Sequence, residues 1–327
     1  MNQHELIAEV LERQAKRSVE RRNFLKFAGA STAFVAGASM LDACGGNGNS
    51  TRGSKIVLPP GDSVSDDRIL NFALNLEYLE AQFYSFAATG VGLPANLLTG
   101  TGKPGDATGG RQVNFTDPQV RQYANEIAKD EKEHVAFLRT AIGATAVAQP
   151  PIDISPASMG AFSSAAVAAG LIAQGQSFDP YASDENFLLA AFIFEDVGVT
   201  AYKGASPLLK SSTFLSAAAG ILAAEAYHAG LIRTTLYTKG IQAPALIDAA
   251  DKISAARDAL DNPIHDDQGI APVNGASSIV PANSDAIAYS RSPGDVLNIV
   301  YLNAGTVKQG GFFPSGVNGD INTSTAG

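Results

Sequence analysis

The sequence predicts an all-α protein whose core is a bundle of four long helices, with one long crossover between the second and third helices. Two observations support this prediction. Apolar residues recur at helical spacing in four segments, and capping residues stand at or near the expected starts. Hydrophobic residues make up 45% of the 327 residues and charged residues 17%, which is enough apolar material for a large buried core.

Capping signals set the expected starts of these helices. Ser65 or Asp66 can cap the first helix, and Thr116-Asp117-Pro118 combines a capping residue with a proline in the first turn of the second. Ser183 or Asp184 can cap the third helix, and the fourth follows after a short proline-containing break. The four helices are expected over about residues 65–88, 117–142, 184–204 and 210–239.

The segments outside the bundle are read from their turn residues. Residues 144–183 form the long crossover, which contains Pro150-Pro151 and an Ala-rich patch suited to a short helix. One more helix is expected over about residues 244–260. Residues 261–327 are rich in Gly, Pro, Asn and Asp around one strand-like run at 296–302. We interpret them as an irregular C-terminal extension wrapped on the bundle, not as a second catalytic domain.

The first 43 residues have the pattern of an export signal. Arg21 and Arg22 precede a weakly apolar run rich in Ala and Gly over 27–40, which is too short and too mild for a transmembrane helix. This pattern resembles a twin-arginine signal, whose route carries proteins that are already folded. Cys44 follows where a lipoprotein signal would place its acylated residue, so lipid attachment at Cys44 is a further expectation.

These signals divide the chain into four parts: a signal over 1–43, a flexible tether over 44–62, the bundle over 63–242, and a C-terminal helix with its wrapped extension over 243–327. The expected location is the periplasm or envelope, with a membrane contacted only through a lipid anchor. The net charge of −9 disfavours nucleic acid as a partner. The single cysteine leaves carboxylate and imidazole as the available metal ligands.

Two of the four histidines have a glutamate three residues earlier. They are His134 after Glu131 and His228 after Glu225, in the second and fourth expected helices. Residues three apart on a helix lie on one face, about one turn from each other. A Glu carboxylate and a His imidazole in this arrangement can bind one metal ion together.

The first and third helices contain a matching pair. Glu77 has Tyr84 seven residues further on, and Glu195 has Tyr202 seven residues further on. Seven residues are close to two helical turns, so each Glu shares a face with its Tyr. The chain therefore consists of two helix pairs, each supplying one Glu and one Glu-x-x-His motif.

This internal repeat selects among neighbouring acidic residues. Glu80 is excluded because its counterpart in the second pair is Gly198, and Asp130, Glu133 and Asp196 also lack an acidic counterpart. Three positions carry a carboxylate or an imidazole in both halves, which gives six residues. The expected metal ligands are Glu77, Glu131, His134, Glu195, Glu225 and His228.

This ligand set resembles that of the ferritin-like di-iron and di-manganese carboxylate proteins over about residues 65–240. The stretches NLEYLEAQFY at 75–84 and FIFEDVGVTAY at 192–202 are similar to the desiccation-related branch of that superfamily. The segments RSPGDVLNIV at 291–300 and FFP at 312–314 are similar to it as well. The long Gly-rich loop and the C-terminal extension argue against cage assembly of the storage-ferritin kind.

The resemblance implies two iron ions, with two manganese ions as the alternative. Glu131 and Glu225 are expected to bridge the ions, and Glu77 and Glu195 to be terminal ligands, one per ion. Tyr84 and Tyr202 are either outer groups of the site, redox-active neighbours or packed core tyrosines. The last reading is favoured because a buried Tyr usually needs only one polar partner.

The leading functional hypothesis is oxidative chemistry on O2 or H2O2, of the ferroxidase or peroxidase type, which would protect the envelope from oxidative stress. One alternative is a non-enzymatic desiccation or stress protein whose metals are structural or absent. Others are a manganese catalase-like enzyme, permitted by the same ligands, and an envelope scaffold whose Gly-rich loops bind partners. A homodimer is compatible with the sequence.

Overall fold

The computed structural model describes residues 65–326 of the chain. The expected signal over 1–43, the tether over 44–62 and Cys44 lie outside these described residues. The described part is mainly helical, which confirms the all-α prediction. Its helices are α1 (Asp66–Thr89), α2 (Pro118–Ile142), α3 (Ala161–Ala168), α4 (Asp184–Ala205), α5 (Ser212–Gln242), α6 (Ala245–Asp258) and α7 (Pro293–Val300).

Helices α1, α2, α4 and α5 form the bundle. Helix α1 packs chiefly on α2, and α4 packs chiefly on α5. Helix α3 lies in the long crossover between α2 and α4. Two short strands, β1 (Ala107–Thr108) and β2 (Ile152–Asp153), pair in parallel and join the α1–α2 loop to that crossover. The bundle therefore has one long crossover, as predicted.

Side-chain caps are present at three of the four bundle helices, whereas Ser65 before α1 makes no side-chain capping hydrogen bond. Side-chain oxygens of Asp117, Ser183 and Ser211 accept hydrogen bonds from backbone N–H groups in the first turns of α2, α4 and α5. At its C-terminal end, α1 stops before Gly90, whose φ of 80° is left-handed.

Helix α5 continues through Gly240 to Gln242, beyond the expected end near residue 239. A Cβ atom added to Gly240 would collide with the side chain of Ile247 on α6. This glycine therefore allows two helices to approach each other closely and does not terminate the helix.

By length and composition α5 is apolar enough to cross a membrane. It nevertheless packs on α4 in the bundle and buries Glu225, His228 and Arg233 on its inner face. We therefore describe α5 as a core helix of the bundle, because the core helix of a soluble protein can have the same composition.

The strand-like run at 296–302 is a correction to the sequence analysis, because it lies mostly within helix α7. Ser292 and Asp295 form a capping box at its start, and Pro293 occupies its first turn. Every residue from 294 to 300 is buried. A short apolar run that is buried on all sides has no periodicity by which a helix can be distinguished from a strand.

The C-terminal extension packs against the bundle. The ring of Phe312 lies 4.9 Å from that of Phe194 on α4 and 5.1 Å from that of Phe162 on α3, measured between centroids. Asn318 and Asn75 exchange two hydrogen bonds of 2.9 Å between side chain and backbone. These contacts connect the extension to α1, α3 and α4.

Arg291 anchors the start of this segment. Its guanidinium is 1% exposed and donates to Asp261 at 2.7 Å, to Asp267 at 2.9 Å and to the hydroxyl of Thr200 at 3.0 Å. Its backbone carbonyl lies directly against Gly204 of α4, where a Cβ atom would overlap it. A buried cation with this many partners is costly to disturb.

We expect Gly204→Ala to destabilise the protein by about 1–3 kcal/mol, because the added methyl group would displace the backbone at Arg291. The matched control is Gly220→Ala on the exposed face of α5, where a Cβ atom meets nothing within 4 Å. That control should stabilise the protein by about 0.5–1 kcal/mol through helix propensity. Urea unfolding of the full-length chain measures both changes, and an equal gain in the two variants would contradict the tight contact.

Candidate metal centre

The six expected ligands come from all four bundle helices and point inward. Glu77 lies on α1, Glu195 on α4, and the two Glu-x-x-His motifs on α2 and α5. The four glutamates are at most 1% exposed. The side chains of His134 and His228 are 12% and 7% exposed. Six polar side chains thus meet inside an apolar bundle.

The ligand atoms form two groups that share Glu131. One group comprises Glu77, Glu131, His134 and Glu225, and the other comprises Glu131, Glu195 and His228. Within each group, one ligand atom from each residue lies within 4.8 Å of the others. Glu131 could therefore contribute to holding an ion in either group.

Distances from the two imidazoles follow the internal repeat. His134 Nδ1 lies 3.3 Å from Glu77 Oε2, and His228 Nδ1 lies 3.6 Å from Glu195 Oε2. Both imidazoles also approach Glu131, at 3.4 Å to Oε2 and 3.0 Å to Oε1 respectively. Each histidine therefore lies beside the glutamate of its own half and the shared Glu131.

The two tyrosines connect the halves. Tyr84 of α1 donates its hydroxyl hydrogen to Glu195 Oε1 on α4, and Tyr202 of α4 donates to Glu77 Oε1 on α1. Both tyrosines are buried. They pack in the core and also orient two ligand carboxylates. The reciprocal contacts define a pseudo-twofold axis between α1 and α4, which cross in opposite directions.

The same axis relates two arginine contacts further from the centre. Arg139 of α2 donates to the hydroxyl of Tyr78 at 2.5 Å, and Arg233 of α5 donates to Asp196 at 2.8 Å. Tyr78 and Asp196 occupy equivalent positions in the repeat, as do the two arginines. The repeat is therefore visible in side-chain contacts as well as in the sequence.

Burial controls the ionisation of the carboxyls. Burial raises the pKa of Glu77 to about 7 and that of Glu195 to about 8, although a nearby histidine opposes the shift in each case. It raises the pKa of Glu225 well above its usual range. Burial would also raise the pKa of Glu131, but the adjacent imidazoles of His134 and His228 outweigh it and lower that pKa to about 2.

The imidazoles respond in the opposite direction. Burial alone would lower the pKa of each histidine, but the carboxylates around them prevail. The pKa of His134 is raised to about 11, mainly by Glu77 and Glu131. The pKa of His228 is raised to about 9 by Glu195 and Glu131. Without metal ions, the cluster compensates its charge with protons.

The unpartnered atoms of this cluster fit a metal pair. Within the described residues, several buried ligand atoms lack an aligned hydrogen-bond partner: Glu77 Oε2, Glu131 Oε1, Glu195 Oε2, both carboxylate oxygens of Glu225 and His228 Nδ1. Buried polar atoms are rarely left in this state. Two divalent cations would neutralise four carboxylates, and hard oxygen donors with two imidazoles suit Fe²⁺ or Mn²⁺.

The structure places at the site two residues that the internal repeat excluded as ligands. Glu80 is 6% exposed and follows Glu77 by three residues on the inward face of α1. Its spacing from Glu77 was the signal that could have identified it. Asp130 Oδ2 lies 3.5 Å from His228 Nε2, an outer contact across helices that sequence spacing does not reveal.

The two sides of the centre differ in access. On the α2–α5 side, an open groove of about 830 Å³ includes His228, Asp130 and Tyr227 in its lining. On the α1–α4 side, a cavity of about 20 Å³ touches Glu77 and Glu80. Residues 299, 300 and 312 of the C-terminal segment line that cavity too. A small solute would therefore reach the centre from the groove.

The fold and the site define a four-helix bundle with a buried carboxylate–histidine cluster of the kind that can hold two metal ions. Residues 65–238 match the ferritin-like domain family, and the chain belongs to that family. It is 30% identical over 275 residues to the ferritin-like catalase Nec2 of Nesocodon mauritianus, covering 80% of this chain and 86% of that protein.

A second relative identifies the branch. The chain is 33% identical over 241 residues to the desiccation-related protein PCC13-62 of Craterostigma plantagineum, covering 70% of this chain and 75% of that protein. These matches confirm the expected membership of the desiccation-related branch of the ferritin-like superfamily. No solved structure gives a significant match.

We expect the metal-free protein to take up two Mn²⁺ or Fe²⁺ ions per chain, and Glu131→Ala to lose both, because Glu131 belongs to both ligand groups. Glu195→Ala should lose one ion in preference to the other. Elemental analysis after dialysis gives the stoichiometry, and circular dichroism checks that the helices remain. The control is Glu133→Ala, which removes an exposed carboxylate from the same helix. Retention of two ions by Glu131→Ala would exclude the shared-ligand arrangement.

We expect metal affinity to rise with pH. In the metal-free protein the pKa values are about 7 for Glu77, about 8 for Glu195 and about 9 for His228. These groups therefore hold protons near neutral pH, whereas ligands must be deprotonated. The pKa of His134 is higher still, at about 11, so raising the pH from about 7 to about 11 removes these protons and favours the loaded form. Calorimetric titration with Mn²⁺ in buffers of different ionisation enthalpy counts the released protons. An affinity independent of pH would contradict this electrostatic picture.

Proposed function

We propose that this protein is a dinuclear metal oxidoreductase that removes H2O2 by converting two molecules of H2O2 into two of water and one of O2. The observation that carries the proposal is the pair of buried ligand groups sharing Glu131. The name of one relative, a ferritin-like catalase, supports H2O2 as the substrate. Two iron ions are the first choice of cofactor, and two manganese ions are the alternative.

Bound metal ions would supply two-electron chemistry, in which one H2O2 takes up two electrons and two protons to give two water molecules and another gives them up to form O2. The chain's own residues hold the site in position. Tyr84 and Tyr202 each engage the Oε1 atom of a glutamate, which leaves the Oε2 atoms of Glu195 and Glu77 facing the centre. Hydrogen bonds from outer groups to ligands fix ligand orientation in this way.

The surroundings of the site suit a small, uncharged substrate. The groove between α2 and α5 leads to His228, and the bundle interior excludes bulk water from the carboxylates. Asp130 lies at that groove, where its carboxylate can orient the His228 imidazole through Nε2. An opening on one side lets H2O2 enter and O2 leave without exposing the whole centre.

The location of this activity is also a proposal. The Arg21-Arg22 pattern supports twin-arginine export to the periplasm or envelope, and Cys44 supports a lipid anchor. Export in the folded state would allow metal loading before translocation. The acidic chain is not expected to bind nucleic acid. A homodimer remains part of the proposal.

A second candidate is a desiccation or stress protein whose metals serve stability alone. The resemblance to the desiccation-related protein PCC13-62 favours it. Metal ions would then offset the buried carboxylate charge and stabilise the folded bundle, without turnover of any oxidant. Both candidates predict metal binding, so measured turnover is what separates them.

We expect the iron-loaded or manganese-loaded protein to release O2 from H2O2, and Glu131→Ala to lose this activity at least about 100-fold because both ions lose a ligand. An oxygen electrode distinguishes the reactions, since H2O2 disproportionation releases O2 and ferroxidase activity consumes it. Glu133→Ala on the same helix should retain full activity. Two bound ions with neither O2 release nor O2 consumption would favour the second candidate.

A further inference from the structure

Glu80 and Gly198 occupy equivalent positions in the internal repeat. Each follows a ligand glutamate by three residues, Glu77 on α1 and Glu195 on α4. Because the tyrosine contacts run reciprocally between these two antiparallel helices, the two positions face each other at the helix crossing. Residues 80 and 198 therefore lie at the pseudo-twofold axis of the centre, where the two halves meet.

Gly198 leaves room for a carboxylate from another helix. A Cβ atom added to Gly198 would lie 2.5 Å from Glu225 Oε2, which is an overlap, and 3.5 Å from Glu80 Oε1, which is an ordinary van der Waals distance. The carboxylate of Glu225 therefore occupies the space that a side chain at 198 would take, and Glu80 Oε1 lies close to the same point. Glu80 thus reaches the axis near a ligand glutamate.

The surroundings of Glu80 are anionic. Glu80 is 6% exposed, and it lies close enough to Glu131, Glu195 and Glu77 for their charges to repel its own. Among residues 65–326, no Lys or Arg forms an ion pair with Glu80. Two imidazoles face five buried carboxylates here, so the carboxylates can all ionise only beside bound cations.

We propose that Glu80 is a fifth carboxylate of the metal centre, reaching the ion pair from the α1–α4 side at the pseudo-twofold axis. Glu77 and Glu195 already provide carboxylates from α1 and α4, and Glu80 would add a further oxygen donor on that side. This inference rests on the proposed dinuclear centre and adds a ligand that the repeat does not contain.

The extra carboxylate changes the charge balance of the centre. Four carboxylates neutralise two divalent ions, and a fifth adds one negative charge. A surplus of negative charge favours ions of higher charge, so Glu80 stabilises the oxidised pair relative to the reduced pair. A centre with Glu80 therefore has a lower reduction potential than the six-ligand set alone would give.

Glu80→Gln tests the proposal, because glutamine preserves the size of the side chain and mimics a protonated carboxyl. Metal-free full-length protein is titrated with Co²⁺, followed by calorimetry and by visible absorption, whose intensity increases as the coordination number falls. We expect the variant to bind two ions roughly 10–100-fold more weakly than the wild type, with stronger absorption. The iron-loaded variant should have a more positive midpoint potential. Glu133→Gln, an exposed carboxylate, is the control and should match the wild type.

A conservative variant allows a rescue experiment. Glu80→Ala should weaken Co²⁺ binding as Glu80→Gln does, and Glu80→Asp, which keeps a carboxylate, should recover part of it. Circular dichroism confirms that each variant is folded. Recovery with a carboxylate, but not with the amide of equal size, distinguishes a ligand from a residue that only fills volume.

Equal affinity, absorption and potential in the wild type and Glu80→Gln would overturn the inference, because a carboxyl that stays protonated behaves like glutamine. A wild type that binds two ions but neither releases nor consumes O2 would refute the proposed function and leave this inference standing. A wild type that binds no metal would overturn both.

Discussion

The burial of carboxylates at one point inside the bundle is the constraint on which the rest of the structure depends. Glu77, Glu131, Glu195 and Glu225 are almost wholly removed from water, and the imidazoles of two histidines lie beside them. Such a cluster is stable only if protons or metal ions offset its charge. In the metal-free protein the opposed pKa shifts of Glu131 and His134 show protons in that role. Metal ions would replace the protons and couple site occupancy to the stability of the fold.

The bundle holds these carboxylates with two copies of the same arrangement of ligands. Each helix pair contributes one Glu and one Glu-x-x-His motif, and each half uses its tyrosine to hold the glutamate of the other half. This exchange makes α1 and α4 mutually dependent, because displacement of either helix breaks both tyrosine contacts. The arginine contacts to Tyr78 and Asp196 repeat the relation further from the centre. The symmetry-related tyrosine and arginine contacts therefore hold the four helices in the arrangement that the site requires.

The bundle and the six candidate ligands could be predicted from the sequence because both depend on local spacing. On a helix, the spacing between two residues determines whether their side chains lie on the same face. Prediction from the sequence failed where three-dimensional packing decides the outcome. The burial of Glu80 close to the ligand glutamates is a result of packing that the internal repeat does not indicate. Helix α7 was read as a strand because burial on all sides removes the periodicity. The partner of Asp130 lies on another helix, which spacing within α2 cannot indicate.

The C-terminal extension makes the two sides of the centre differ in solvent access. A bare four-helix bundle would present similar α1–α4 and α2–α5 faces, but here Val300 and Phe312 close the first face and leave the second open. Arg291 secures this closure, since its buried guanidinium and its backbone both bind α4 at Thr200. Beside Glu77 and Glu80 this closure leaves a cavity of about 20 Å³, about the size of one water molecule. The extension thus acts on the chemistry of the bundle by excluding solvent from one side of its centre.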